Sequence, residues 1–529
     1  MTAPTLPAAE FNVRTFGAKG DGVALDSPAI NAAIAAASAA GGGTVRLPTG
    51  TYLCFSIRLR SHLRLQLDPG AVIRAAKPAP GFGAYDDPEP NEWGDLHQYQ
   101  DFGHSHWHNS LFWGENLENV SIVGPGLIDG TAGLVRHASY ASTGPNGTVA
   151  RGSGEPPPEV RGLGNKAIAL KNCRGVILRD FSILNGGHFA LLATGVDHLT
   201  CDNLRLDTNR DGLDIDGCRH VRIANCAINT PNDDAIVLKT SYALGELRAC
   251  ENITITGCTV SGYDIGSLLD ATFRRTVTHA PDRDGPTGRI KIGTESNGDF
   301  RNITVANCTF DRSRGLALES VDGAVIEDIV VTNLTLRDVS NSPIFLRLGN
   351  RARGPEGTPV GAIRRVKISH VTASDADGRF PILLVGLPDH PLEHITISDV
   401  HIASRGGITL ADVAAQSDKH VNAFFLRADE PGVVGPREPF AVPERPRAYP
   451  EPSMFGLLPA SAVFARHVRH LTVRDLRYEF AAPDERPLVL LDDATDITFS
   501  RFRAPTPAGP PYHLVNVHAL ETIHCTPAP

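Results

Sequence analysis

Leu199-Thr200-Cys201-Asp202-Asn203 and, 22 residues on, Val221-Arg222-Ile223-Ala224-Asn225 decide how this chain folds. Each alternates apolar and polar residues over a few positions and stops at an asparagine. Period-two alternation built from Val, Ile and Thr marks a short, half-buried strand. An asparagine at its end suits a turn that needs positive φ or a side-chain bond to backbone. The signature occurs earlier at Val120-Ser121-Ile122-Val123-Gly124 and Val176-Ile177-Leu178-Arg179-Asp180. It returns from Ile253 to Gly257, Ile303 to Asn307, Ile329 to Asn333, Val366 to His370 and Ile395 to Asp399, with later copies from Leu471 to Asp475 and Ile497 to Arg501. Many short strands at a steady period, without helices between them, predict a coil of stacked parallel strands. The fold class is therefore all-β, a parallel β-helix. Asparagines repeated at one corner predict a ladder in which each amide bonds to the rung above.

Outward from the repeat, four stretches break the period: about 130–165, 262–288, 350–362 and 403–465. They are rich in Gly, Pro and charge, which predicts loops. Long loops on a repeat scaffold build the wall of a cleft. Ahead of the first rung, Ser27 is placed to cap a helix from Pro28 to about Ala39. That helix would plug the end of the coil and hide its open edge. A single domain spanning residues 10–529 follows, because each repeat needs only its neighbours.

The 529 residues carry a net charge of -9 with no basic stretch, which argues against nucleic acid and anionic membrane as partners. No apolar run reaches the ~18 residues of a membrane span. Met1 to Ala9 lacks a basic segment followed by an apolar one, so no signal peptide is visible there. Nine cysteines show no metal-type pairing; Cys173, Cys226, Cys258 and Cys308 recur in the repeat and read as buried thiols packing as small apolar groups.

Two acidic segments carry the chemistry. One is Asn209-Arg210-Asp211-Gly212-Leu213-Asp214; the other is Asn232-Asp233-Asp234. Asp211 and Asp233 lie 22 residues apart, the same step as Leu199 to Val221, so they take equivalent places on consecutive rungs. Strands ~4.8 Å apart would stack these carboxylates in one patch, with Asp234 beside them. Like charges packed together are costly unless one binds a proton. A protonated carboxyl beside ionised ones is what glycoside hydrolysis needs: an acid for the leaving oxygen and a base for water. Two alternatives stand beside this: a solvated series of turn-forming aspartates, and a calcium site.

With these motifs the chain resembles glycoside hydrolase family 28, the polygalacturonase-like, pectin-active β-helix proteins, over about residues 10–480. Val13 to Gly22, Gly41 to Tyr52 and Ile122 to Gly130 are similar to stretches shared among such proteins. The resemblance implies a right-handed, pectin-lyase-like solenoid. Asn209 to Asp214 resembles the family's Asn-Thr-Asp-Gly-x-Asp, with Arg210 in place of Thr, and Asp233-Asp234 resembles its Asp-Asp pair. It implies that Asp233 is the general acid and that Asp211 and Asp234 hold and deprotonate the water. It also implies inversion, with acid and base roughly 6.5–9.5 Å apart, no cofactor, metal-independent action and an exported protein, secreted or periplasmic.

The departures bear on substrate. Thr287 stands where the family's Gly-His-Gly has its histidine. Ala317-Leu318-Glu319 stands where Arg-Ile-Lys grips a galacturonate carboxylate. An acid in place of a cation repels a uronate and leaves it without a bidentate donor. A neutral or deoxy sugar, such as terminal L-rhamnose, is expected instead, with Glu319 accepting from its hydroxyls. Asn209, Lys239, Arg289, Lys291 and Glu295 complete the candidate substrate-binding set; Arg289 and Lys291 are placed to replace the missing cations. His104, His106 and His108, in a stretch with Trp107 and Trp113, stand open to three readings: metal ligands, a sugar-ring contact, or a packed loop. The insertions favour exo action on a carbohydrate substrate. The competing functions are a polygalacturonase or exo-galacturonosidase, a β-helix polysaccharide lyase, and a non-catalytic carbohydrate-binding β-helix.

Overall fold

The computed structural model describes residues 9–93, 99–100, 102–135, 162–421 and 435–529. Where the repeat predicts a single domain over 10–529, contacts group the chain into two compact units: Met1–Thr259 with Tyr263–Thr276, and Val260–Gly262 with Val277–Pro529.

In the first unit, three columns of parallel strands stack rung on rung. One runs through Leu63–Leu67, Glu118–Val123, Arg174–Arg179, Asp197–Asp202, Arg219–Ala224 and Cys250–Thr256. A second runs through Gly50–Cys54, Ala71–Ala75, Leu127–Asp129, Ser182–Leu184, Arg205–Asp207 and Ala227–Asn229. The third, which carries the site, runs through Ile57–Arg58, Ser110–Glu115, Lys166–Lys171, Phe189–Thr194, Leu213–Asp216 and Ile236–Thr240. The alternation read from sequence is the pleat: Leu199 and Cys201 are buried while Thr200 between them is not. The expected helix is present as Ser27–Ala39, burying Ile30, Ala33, Ile34 and Ala37. Its cap differs from expectation. Asp26, not Ser27, precedes the helix, and its carboxylate is turned away to accept from the N–H groups of Lys19 (2.6 Å) and Gly20 (2.9 Å). Ser27 Oγ accepts instead from Phe55 N–H at 3.3 Å.

In the second unit the strands are longer. Phe300–Asp311, Val325–Arg337, Ala362–Ala376, Leu392–Gly406, Val463–Ala482, Val489–Ser500 and Tyr512–Ile523 pair in that order, all parallel. A companion column of Ile290–Ser296, Leu316–Ser320, Ile344–Leu348 and Ile382–Val385 joins the start of Val463–Ala482.

The corners behave as the terminal asparagines predict. Asp180, Asn203 and Asn225 in the first unit, and Asn307, Asn333, His370 and Asp399 in the second, all have φ between 53° and 74°. Short polar side chains tolerate this left-handed conformation best. Side-chain amides link the rungs: Asn203 Nδ2 donates to Asp180 Oδ1 and Asn225 Nδ2 to Asp202 Oδ1, both at 2.9 Å, and Asn333 Nδ2 donates to Asn307 Oδ1 at 2.6 Å. The thiols of Cys173, Cys226, Cys258 and Cys308 are buried and unbridged, as expected.

The insertions fall between strands, with adjusted limits. The stretch about 130–165 separates Leu127–Asp129 from Lys166–Lys171, and residues 136–161 of it lie outside the described residues. The stretch about 403–465 begins later and ends earlier than expected, because the flanking strands run to Gly406 and start at Val463. Its described part includes the helix Leu410–Ala415, held by a full capping box between Thr409 and Asp412. Beyond the helix, Val442, Ala448, Met454, Phe455 and Leu458 pack on Ala317, Phe345, Leu383 and Val385 of the companion column. This segment is a strap that covers the outward face of that column.

Candidate active site

The site in the first unit is built where two rungs of the third column begin. Asp207 pairs with Asn229, a step of 22 (229 − 207), but Leu213 pairs with Ile236, a step of 23 (236 − 213). One extra residue therefore enters the later rung ahead of its strand. It moves Asp234, rather than Asp233, opposite Asp211, and brings Asp233 opposite Arg210. The hydrogen bonds follow this register. Gly212 N–H donates to Asp234 O at 3.0 Å, and Asp234 N–H donates to Asp211 Oδ1 at 3.1 Å. Asn232 Nδ2 donates to Asn209 Oδ1. The expectation that Asp211 and Asp233 are rung equivalents is corrected to Asp211 and Asp234. Gly212 is required by the same stacking: a Cβ there would lie 2.5 Å from both Ala235 O and Ile228 Cγ2.

The three expected aspartates come together. Asp211, Asp233 and Asp234 each present an oxygen within 4.8 Å of the others. Asp211 and Asp234 are nearly buried, whereas the Asp233 side chain keeps 23% exposure. Burial first, and then the charge of Asp233, push the Asp211 carboxyl well above the usual carboxylate range, with Lys239 opposing. Asp233 has a different environment. Arg210 reaches its Oδ2 through Nε at 2.8 Å and through a terminal nitrogen at 2.6 Å.

Behind Asp211 lies a second layer that the motifs did not announce. Lys239 Nζ sits 2.7 Å from His104 Nε2, 2.9 Å from Asp214 Oδ2 and 3.2 Å from Asp211 Oδ2. The two carboxylate oxygens accept from this ammonium. Lys239, expected to touch substrate, is instead directed at the carboxylates, and its side chain is only 7% exposed. Burial would raise Asp214, but Lys239 and then His104 outweigh it and hold the carboxyl below its ordinary value. Asp216 is pushed up to about 6, by burial first and then by Asp214, despite bonds donated by Ser241 N–H (2.7 Å) and Oγ–H (2.5 Å). Two atom groups, His104 with Asp211 and Asp214, and Asp211 with Asp233 and Asp234, are close enough to surround an ion. Lys239 already supplies a cation to the first, and Arg210 to the second.

Of the aromatic stretch, His104 joins the aspartates; its Nε2 lies 3.0 Å from Asp214 Oδ2. His106 Nδ1 meets Glu89 O, and His108 meets Glu115 and stacks on Trp113 with centroids 3.9 Å apart. Trp107 is fully buried with Ala169, Phe189, Leu192 and Ala243, so it is a core residue rather than a platform for sugar.

The other candidates form a cluster in the second unit. Arg289 pairs with Glu451 through both terminal nitrogens and lies 3.8 Å from Glu319 Oε1. Lys291 Nζ is 3.3 Å from Glu319 Oε2 and 3.3 Å from Tyr449 Oη. Thr294 Oγ1 donates toward the same Glu319 oxygen at 3.1 Å. Glu295 faces Arg351 (3.6 Å) and Arg353 (3.8 Å). Tyr449 and Glu451 come from the strap, and sequence reading missed both: they lie 130 or more residues beyond Glu319 with no periodic signal to link them.

Residues 97–279 match the sequence family described as glycosyl hydrolases family 28, and residues 10–140 match rhamnogalacturonase A/epimerase, pectate lyase-like. Over residues 97–279 the chain is thus similar to family 28, and along most of its length it resembles a polygalacturonase. A probable polygalacturonase of Vitis vinifera is 22% identical over 423 residues, 74% of either chain. The exopolygalacturonase of Thermotoga maritima superposes with a TM-score of 0.57 at 21% identity, over 76% of this chain and 88% of its own. The family 28 exopolygalacturonase of Yersinia enterocolitica gives 0.57 at 16% identity, over 97% and 78%. These likenesses fix the fold as a right-handed parallel β-helix. A short stretch of 43 residues is 66% identical to mannuronan C5-epimerase AlgE1 of Azotobacter vinelandii, 8% of this chain and 3% of that one.

The register stacks Asp211 and Asp234 one strand spacing apart. Set beside the family 28 pattern, one expectation changes. Arg289 and Lys291, expected to replace the family's cation pair, are turned to Glu319, Glu451 and Tyr449 within their own unit, with both side chains 2% exposed. Ala317 faces the apolar strap, and Thr287 is a buried loop residue whose carbonyl accepts from Arg314 N–H at 2.9 Å.

Proposed function

We propose that this chain is an exo-acting, inverting glycoside hydrolase that removes a neutral or deoxy sugar, L-rhamnose in the first instance, from a pectin side chain or plant glycoside. The observation that carries the hydrolase reading is the trio Asp211, Asp233 and Asp234 converging on two stacked rungs. Carboxyls with unlike surroundings divide the work of acid and base. Inversion rests on the likeness to family 28 and not on the spacing of the carboxylates. The sugar preference rests on Glu319, which takes the place of a cation, and on Arg289 and Lys291 being engaged by Glu451, Glu319 and Tyr449.

A second reading, exo-galacturonosidase, is favoured by the activity named for the Thermotoga and Yersinia relatives. A panel of polygalacturonate, rhamnogalacturonan oligosaccharides and aryl glycosides of neutral sugars separates the two. Wild type should release a neutral monosaccharide from chain ends, and Asp233→Asn should lower kcat at least about 100-fold. Galacturonate as the main product would select the second reading. Binding without turnover by either protein would mean a carbohydrate-binding β-helix. The anomer formed first, read by proton NMR, tests inversion.

A further inference from the structure

We propose that Arg210 is a positioning residue that sets the pH range over which Asp233 can deliver a proton to substrate. The inference rests on the hydrolase reading above and adds a role for a residue that departs from the family's threonine. Its basis is the one-residue offset between rungs. Were the step 22 throughout, Asp233 would stand opposite Asp211; at 23 it stands opposite Arg210. The contact is directed: Nε and a terminal nitrogen converge on the single oxygen Oδ2 at 2.8 and 2.6 Å, while Oδ1 accepts from Asp234 N–H at 3.1 Å. Side-chain exposures of 17% for Arg210 and 23% for Asp233 separate this pair from a fully solvated surface pair, where salt and water weaken the contact.

The groups around Asp233 pull in both directions. Asp211 comes from the preceding rung and Asp234 from the next position in the chain, and both disfavour a second negative charge. Arg210 favours it. Lys239, His104 and Asp214 form a cluster joined to Asp211 through Lys239 Nζ. His188 lies one rung before Arg210, by extension of the pairing of Leu191 with Leu213. Among the described residues, Thr230 Oγ1 also donates to Asp233 O at 2.8 Å, and Asn232 Nδ2 bonds Asn209 Oδ1 beside it.

In the hydrolytic step the protonated Asp233 gives its proton to the glycosidic oxygen. The bond from that oxygen to the anomeric carbon breaks, and the electron pair stays on the oxygen. Water, held by Asp211, adds to the anomeric carbon and loses a proton to the carboxylate of Asp234. Solvent then restores the starting protonation, so one water is consumed and no other reactant is needed. Arg210 stabilises the form of Asp233 that cannot start this step. With Arg210 present, activity is lost at a lower pH on the alkaline side than it would be with the family's threonine.

Arg210→Thr and Arg210→Lys test this. For Arg210→Thr, the alkaline limb of kcat/KM should move up by about 1 to 3 pH units, the range by which a neighbouring opposite charge displaces a carboxyl. Arg210→Lys should keep the limb near that of wild type. An unchanged limb in a folded, active Arg210→Thr protein overturns the proposal. A second measurement does not depend on turnover: the carboxyl carbon of Asp233, labelled and assigned by its loss in Asp233→Asn, is titrated by NMR in wild type and both variants. Its midpoint should rise in Arg210→Thr and stay in Arg210→Lys. A shifted midpoint in a protein that hydrolyses nothing in the panel would sink the hydrolase reading while leaving the Arg210–Asp233 coupling in place. An unshifted midpoint refutes the coupling whether or not the protein hydrolyses.

Discussion

Asp216 shows how far one buried carboxyl can be moved by its surroundings. It lies one strand position beyond Ile215, its oxygens taken by Ser241 and its charge opposed by burial and by Asp214. Because its folded pKa is about 6, above the unfolded value, the native state holds this proton more tightly. The stabilisation is complete below about pH 4 and is lost as pH rises through about 6. Asp216→Asn removes that dependence. Between pH 4 and 7, the unfolding free energy of Asp216→Asn relative to wild type should grow by about 2 kcal/mol, followed by urea denaturation. Parallel pH profiles for the two proteins would contradict the assignment. Lys239 acts at the same scale. With two carboxylates around its Nζ it is a counter-charge within the site, and sequence reading could not see this cluster because His104 lies 135 residues away.

At the scale of the element, the left-handed corner and the strand that follows it are the unit of construction. Corner residues such as Asn203 and Asn333 were readable because their conformation selects the residue type. The helix was readable for similar reasons, yet its cap was not: Asp26 is drawn to the N–H groups of Lys19 and Gly20, a tertiary demand that no local pattern announces. Gly212 belongs to this scale too. Its turn lets the backbone of one rung close on the next, and Gly212→Ala should clash with Ala235 O and Ile228 Cγ2. We expect a loss of about 1 to 3 kcal/mol in chemical denaturation, together with lower kcat as Asp211 is displaced. Stability and kinetics both equal to wild type would show that the rung can shift at no cost.

At the scale of the whole molecule, the mild net charge of -9 hides concentrated acidity, and the chain balances it internally with Arg210, Lys239 and His104. Neither folding nor activity should therefore need an added ion. Thermal unfolding and hydrolysis rates are expected to be unchanged after exhaustive dialysis against a chelator, and a fall restored by calcium would assign the carboxylates to a metal instead. The sequence by itself determined the parallel coil, the polar corners and the three aspartates, because each depends on neighbours one repeat away. Strand alternation, left-handed turns and a near-constant period all lie within that reach. Only the tertiary structure decided which aspartate faces which partner, that Trp107 is core, and that a strap brings Tyr449 and Glu451 to Lys291 and Arg289. The reason is geometric. A single extra residue between Asn229 and Asn232 leaves the hydrophobic pattern intact but slides the side chains from Asn232 to Ile236 by one place against the preceding rung, and a strap more than a hundred residues along the chain carries no period to mark where it lands.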